Sequence, residues 1–408
     1  MSRLASAEGV QMPTTGWRER WLAALDRWLS SPGLYRWALT NPIGRYVMRR
    51  RSSQLFNLMA GFVHSQVLLA CVRLGWFEAL LVQPRSLSQL QQLGALEPDS
   101  LQRLLSSAIA LGLIEQRGES YGLGPLGIPV AAHPGLRAMI EHNALLNADL
   151  VDPIGLLQRP ESSGMHAYWP YPTGTANEPP AAAPQHRSWG QVQTTAELQA
   201  FSQSRPDEHQ VARYSELMAR SQSFLIQELL AAYDFSQHQV VLDVGGGQGG
   251  WVSALARHVP HLQLQLFDLP GVAELAQQRI AEAGLSQRIR CIGGSFRNDD
   301  LPRGADLITL LRVAHDHADE AVVHLLRSIH SALPAGGHLL LAEPMAEPEG
   351  RPCPSDAYFH FYLLAMGRGR LRTAGELQNL LMQAGFGTVR AIPNPVPLHG
   401  SLLLARKL

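Results

Sequence analysis

The stretch VLDVGGGQGG, residues 241–250, constrains this chain more than any other. A short apolar run empties into a turn built almost wholly of glycine and then into a helical pattern. Glycine reaches backbone angles closed to other residues and lets a ligand approach the main chain closely, so the run reads as the opening of a βαβ unit. Two ligand templates fit the spacing. Gly245, Gly247 and Gly250 satisfy G-x-G-x-x-G, the dinucleotide turn, while Gly245, Gly247 and Gly249 satisfy a tighter G-x-G-x-G, suited to S-adenosylmethionine. Spacing alone leaves both open.

The rest of the C-terminal half repeats the same grammar. Strand-like LQLQLFDL, RIRCIGG, ADLITLLRV, GHLLLAEP and GSLLLARK alternate with helical patterns over 251–258, 272–283, 319–333 and 374–384. Such alternation predicts an α/β class and a doubly wound, mostly parallel sheet, with ligands at the carboxyl ends of its strands. Chemistry there separates the templates. Asp243, two residues before Gly245, would set a carboxylate against a diphosphate, but it suits the sulfonium and ammonium of S-adenosylmethionine. Asp268, ending LFD, would accept from a ribose diol and fits either ligand. No Gly-Lys-Ser/Thr follows the turn, which excludes a nucleotide-triphosphate loop.

With 408 residues the chain has room for two domains, and 46% apolar against 17% charged residues provides large cores. Lys plus Arg equals Asp plus Glu at 34 each, a balance that argues against a nucleic-acid binder. Cys71, Cys291 and Cys353 form no C-x-x-C pair, so neither a disulfide framework nor a metal site is expected. The N-terminus has no apolar core of a secretory signal, and no run approaches the roughly 18 uninterrupted apolar residues of a membrane span. A cytoplasmic location follows as the expectation.

A broad apolar helical surface over 54–81 predicts burial in a core or a dimer. Residues 86–127 then read as helix, turn, helix and glycine-rich hairpin, a winged-helix pattern. Arg103 is the only cation from Pro98 to Ile114, too little for a DNA-reading helix, so the wing is expected to serve as scaffold and subunit contact. Trp17, Trp21, Leu25, Trp28 and Leu29 trace an apolar stripe, with Arg49, Arg50 and Arg51 beyond it. Packing on the partner subunit is the simpler role for this stripe, and peripheral contact with a bilayer the other. The Pro-rich stretch 159–190 is a linker, or a flap carrying Tyr168, Trp169, Tyr171 and Trp189. The expected division is an extension over 1–53, a helical winged-helix-like dimerisation domain over 54–150, a linker and flap over 151–215, and the sheet domain over 216–408.

Taken in order, this front end, VLDVGGGQG, LFDLP, GGSF with a following LP, LRVAHDHADE, GGHLLLAEP and AGF resemble the small-molecule O-methyltransferases of the caffeic-acid and acetylserotonin type. The likeness runs from about residue 54 to the C-terminus. It implies a class I methyltransferase sheet, a homodimer and S-adenosylmethionine as methyl donor. Asp243, Gly245, Gly247, Gly249 and Asp268 would hold that donor. Ser295 and Phe296 stand where relatives keep an acid–methionine pair at the adenine, and Arg312 where bacterial relatives keep an arginine near the cofactor. His315 falls on the catalytic base, with Asp316 beside it either as a second functional acid or as a helix cap. Glu343 falls on one of two acids that flank the base. Leu371 replaces the other, which leaves one orienting carboxylate at most and suggests an apolar substrate wall.

Met218, Phe359, Tyr362, Leu363 and Met366 are candidates for that wall, although 359, 362, 363 and 366 also follow ordinary helical core spacing. His142, His317, His324 and His330 read as surface or structural. RRRSSQLFNLMAGFVHSQVLLACVRLGWFEAL and SDAYFHFYLLAMGRGRLRT bring the chain nearest to the carotenoid-modifying branch of the family. The acceptor so implied is a hydroxycarotenoid, methylated at its tertiary 1-hydroxyl. A phenolic polyketide or bacteriochlorophyll precursor is the alternative acceptor. A reading of another class, a winged-helix ligand-sensing regulator that has lost catalysis, has the cation-poor second helix and His315 against it.

Overall fold

The structure is a computed structural model that describes residues 16–168, 225–347, 351, 353–367, 369–393 and 401–408. Met218 and the flap aromatics Trp169, Tyr171 and Trp189 lie outside the described residues.

The front of the chain is helical: α1 (Trp17–Leu29), α2 (Pro32–Thr40), α3 (Pro42–Arg73) and α4 (Trp76–Val82). Local chemistry sets the breaks. Ser31 and Asn41 cap α2 and α3 with their side chains, each followed by a proline at the first helical position. Gly75, at φ +67°, turns the chain out of α3 and into α4. The helix expected over 54–81 is therefore two helices, and α3 begins a full 12 residues earlier and runs unbroken through position 53. α3 also corrects the expectation about membrane-length segments. By length and composition it could cross a bilayer, since an 18-residue window has a mean hydropathy of 1.7 and is only 17% buried. Counting uninterrupted apolar residues missed it because Asn57, His64, Ser65 and Gln66 are polar without carrying fixed charge.

The winged-helix pattern folds as read. α5 (Leu87–Gly94) starts in a capping box between Ser86 and Gln89, and α6 (Pro98–Ala110) buries Leu101, Leu105 and Ala108 on one face. Strands β1 (Arg85–Ser86), β2 (Ile114–Arg117) and β3 (Ser120–Leu123) form a small sheet in the order β1-β3-β2. Trp76, Phe77, Leu80 and Leu90 fill the core beneath it. The chain continues through α7 (Gly127–Ala132), α8 (Pro134–Asp149), α9 (Pro153–Gln158) and α10 (Gly164–Tyr168).

The second half is a seven-stranded sheet of order β11-β12-β8-β7-β4-β5-β6. Its strands are β4 (Val240–Val244), β5 (Gln263–Asp268), β6 (Ile289–Gly293), β7 (Leu307–Leu311), β8 (His338–Glu343), β11 (Thr388–Ile392) and β12 (Ser401–Arg406). Only β12 runs against its neighbours. Helices α11 (Gly250–His258) and α12 (Pro270–Glu282) cover one face with Trp251, Leu255 and Ile280. α13 (Asp319–Ala332) and α15 (Ala374–Gln383) cover the other with Leu325, Ile329 and Leu381. Apolar side chains on both sheet faces explain the near-continuous hydrophobic strands. Between β8 and α15 lie α14 (Pro354–Ala365) and a two-residue parallel bridge of β9 (Met345–Ala346) with β10 (Arg372–Thr373). Strand order reverses at β4, which has β5 on one side and β7 on the other, so the glycine turn sits at the switch point where such sheets bind ligands.

Candidate active site

The backbone answers the question left by the glycine spacing. Gly245, Gly247 and Gly249 hold φ of +71°, +55° and +79°, a region that strains any residue with a Cβ. Gly250, the third glycine of the dinucleotide template, is simply the first residue of α11. The tighter G-x-G-x-G is the one the conformation demands. Gly246 is needed for room: a Cβ there would meet Asp243 Oδ2 and the Leu266 side chain at 2.7 Å. Beyond Gly247 a Cβ would meet nothing within 4 Å, so the turn borders open space on that side.

Two carboxylates support the turn from below. Asp243 is recessed, only 2% exposed, and its Oδ1 accepts from Thr309 Oγ1 at 2.7 Å. Trp251 Nε1 in turn donates to Thr309 Oγ1 at 3.2 Å. Burial pushes the Asp243 carboxyl up to about 7, with the Thr309 bond opposing and the Asp268 charge adding. Asp268 accepts from the Gly247 and Leu269 N–H groups at 2.7 Å each, clamping the turn to the end of β5, and burial raises its pKa too. Gln248 Oε1 is buried beside the turn without a hydrogen-bond partner. Past β6, the Ser295 N–H donates to Asp299 Oδ2 at 2.8 Å, and the Phe296 ring meets His317 edge-on at 5.4 Å.

The second half of the site begins where β7 ends. Arg312 takes φ +56°, an uncommon angle for a residue with a side chain, and its N–H donates to the Ala342 carbonyl at 2.8 Å. The chain then makes a single 3₁₀ turn, Ala314–Asp316, which Glu343, last residue of β8, holds with both oxygens. Oε1 accepts from the Val313 and Ala314 N–H groups at 2.8 and 2.7 Å. Oε2 accepts from the His315 N–H at 3.3 Å and from the ring Nδ1–H at 2.6 Å. That fixes the imidazole plane and leaves Nε2 as its other face. Nε2 lies 3.1 Å from Asp316 Oδ1, a charge contact not aligned as a hydrogen bond, so this buried oxygen keeps an unused acceptor site. His315 therefore has two carboxylates beside it, of which Glu343 alone orients the ring through a hydrogen bond.

Burial pulls His315 toward the neutral form, but Asp316 and Glu343 outweigh it and hold the imidazole above its ordinary range. Burial likewise lifts Asp316 to about 6, against the pull of His315.

A clamp that the sequence did not announce closes over the turn. Arg372, 1% exposed, donates to the Ala314 and His317 carbonyls at 2.8 and 2.7 Å, on either side of His315. Its Nε reaches Asp319 Oδ1 at 2.8 Å, and the Arg370 N–H donates to the His315 carbonyl at 3.0 Å. Gly369, at φ +74°, lets the clamp lie against that carbonyl, where a Cβ would not fit.

Of the wall candidates, Tyr362, Leu363 and Met366 are buried with Leu145 and Leu146 of α8, joining the two halves of the chain; Phe359 is half-buried at the edge of this cluster. Leu371 is buried there as well. His142, read as surface or structural, is buried rather than at the surface, consistent with the structural role. It is 5% exposed on α8, and its Nε2 lies 3.2 Å from Tyr362 Oη. Burial and then the Arg312 charge push its pKa down to about 4. Tyr358 Oη donates to Asn143 Oδ1 at 2.9 Å. Arg312 thus acts electrostatically on His142, His315, Asp316 and Tyr358 together.

The O-methyltransferase domain profile matches residues 182–387, and that of the O-methyltransferase dimerisation domain matches residues 56–128. The chain belongs to the O-methyltransferase family. The enzyme is 37% identical to the demethylspheroidene O-methyltransferase of Cereibacter sphaeroides, over 89% of each chain. It is 36% identical to the protein of the same name from Rhodobacter capsulatus, over 85% of this chain and 80% of that one. Among solved structures, human N-acetylserotonin methyltransferase in complex with SAM superposes with a TM-score of 0.68 at 22% identity, covering 88% of this chain and 97% of that one, a likeness of fold. The dimerisation match over the winged helix supports a homodimer and leaves the DNA-sensing alternative unsupported.

S-adenosylmethionine is the methyl donor of this family, and the turn fits it. The open side of Gly247, the recessed charge of Asp243 and the partly exposed Asp268 form an acidic cradle with no lysine or arginine of a phosphate site within the turn. A sulfonium and an ammonium suit such a cradle, and a diphosphate does not.

Proposed function

We propose that this enzyme methylates the tertiary hydroxyl of a carotenoid of the demethylspheroidene type, with Asp243, Gly245, Gly247, Gly249 and Asp268 at the donor and His315, Asp316 and Glu343 at the reacting hydroxyl. The observation that carries the acceptor is the identity of 37% across 89% of both chains to a demethylspheroidene O-methyltransferase. The apolar Leu371 supports it, standing where phenol-methylating relatives keep an acid. A water-insoluble acceptor resides in a lipid phase, so the same reading sets the homodimer on the cytoplasmic side of the membrane, in peripheral contact with it.

When bound, S-adenosylmethionine supplies a methyl group on a cationic sulfur. Glu343 holds Nδ1–H of His315, so Nε2 is the atom that takes the hydroxyl proton while the oxygen forms its new bond to carbon and the carbon–sulfur bond breaks. The proton does not leave first. An alcohol with a water-like pKa of about 15.7 stands roughly 9 units above an ordinary histidine, or about 12 kcal/mol for free alkoxide. Proton transfer concerted with methyl transfer avoids that species and contributes about 10²–10⁴-fold. Asp316 stabilises the imidazolium as it forms.

Labelled S-adenosylmethionine offered with a panel of hydroxycarotenoids, phenols and chlorin precursors tests the acceptor. Label in the hydroxycarotenoid alone is the expected result, and label only in a phenol or chlorin rejects the reading. His315→Gln should slow single-turnover methylation by about 10²–10⁴-fold, and an unchanged rate removes His315 from the chemistry.

A further inference from the structure

Residues 16–53 are unlike the rest of the chain. They hold four of its eight tryptophans, and Trp17, Trp21, Trp28 and Trp37 are 78%, 58%, 58% and 56% exposed. They hold eight arginines against two acids, Glu19 and Asp26, in a chain whose total formal charge is zero, so the rest of the chain carries an excess of acid. α1 buries no residue at all. On that helix Trp17, Trp21 and Trp28 share one ridge at about 100° per residue, Arg18, Arg20 and Arg27 flank it, and both acids fall on the far side. Ala38 of α2 presses so closely on Gly44 of α3 that a Cβ on Gly44 would meet its backbone at 2.6 Å. α2 and the start of α3 are thus packed closely together, while α1 stays exposed along nearly its whole length.

A second copy of the chain is the competing occupant. The dimerisation match starts at residue 56, and the exposed Phe56, Leu58, Met59 and Phe62 lie within it. The tryptophan–arginine segment lies ahead of that match. Two copies meeting there would bring eight arginines against eight arginines, a repulsion that an anionic surface turns into attraction. Tryptophans beside arginines on an amphipathic helix are also the composition that settles at the lipid headgroup level.

We propose that residues 16–53 dock the enzyme on the surface of an anionic lipid bilayer, the tryptophan ridge of α1 entering the headgroup layer and the arginines pairing with lipid phosphates. The proposal extends the reading of a lipid-soluble acceptor, since it supplies the surface through which the enzyme meets that phase.

Full-length protein sedimented with vesicles of phosphatidylcholine, with or without phosphatidylglycerol, provides the test. Binding should require phosphatidylglycerol, weaken in high salt and shift tryptophan emission to the blue. The triple variant R49Q/R50Q/R51Q should lower vesicle affinity on the order of 100-fold, at roughly fivefold per arginine. W17S/W21S/W28S should lose the blue shift while keeping the wild-type elution volume on size exclusion. Equal binding to both vesicles, binding to neither, or conversion of the tryptophan variant to monomers would overturn the proposal, the last by giving the face to the second copy. Methylation of a carotenoid offered in detergent micelles is the separate control. Its failure in the wild type counts against the acceptor and leaves the vesicle result standing.

Discussion

His315, the base of the proposed reaction, has its proton affinity set by its neighbours. Burial alone would keep it neutral, but Asp316 and Glu343 raise its pKa, so at acid pH it is already protonated and cannot accept. Activity should therefore rise with pH and inflect above about 6.5, the ordinary histidine value. Asp316→Asn removes one of the two raising charges and should move the inflection down, which a pH series of single-turnover rates reads directly. Asp243 gives a second prediction. Between about 4 and about 7 the folded chain holds a proton there that the unfolded chain has released, so this group's contribution to folding is lost as pH rises through about 7. A cation settling over the turn favours the ionised form. Donor binding near pH 7 should then release protons, seen by calorimetry in buffers of different ionisation enthalpy, and Asp243→Asn should abolish the release. These residues were legible in the sequence because each sits inside a contiguous motif at a strand end. Arg372 was not, since a tertiary contact alone brings it to the turn: the Ala314 carbonyl lies 58 positions away.

Among the elements, the 3₁₀ turn carrying His315 has no strength of its own. A strand holds it through Glu343 and the segment 369–372 holds it through Arg372 and Arg370. Arg372→Lys keeps the charge but loses the guanidinium fork that spans both carbonyls. It should lower kcat by about 10²-fold with KM little changed, because the base is displaced while the surfaces that bind donor and acceptor stay in place. The sheet was readable strand by strand from its apolar runs. β11 was missed because this edge strand leaves Arg390 and most of its length toward solvent, which blurs the pattern. The start of α3 was signalled by Asn41–Pro42, a cap followed by a proline, but apolar periodicity fades there among arginines.

At the scale of the whole molecule, the two halves meet through α8 and α14, and the site lies beside that seam. Leu145→Ala should cost about 2–5 kcal/mol of stability in denaturant titration and should also loosen His142 against Tyr362. The wall candidates were recognised as a helical stripe, but a stripe does not say what it faces, and three of the four described members face α8. One consequence reaches beyond chemistry. Trp251 is buried, and a single hydroxyl separates its indole from Asp243. The near-ultraviolet circular dichroism of this one chromophore should change when the carboxyl gains or loses its proton, giving the enzyme an optical gauge of site occupancy that needs no label.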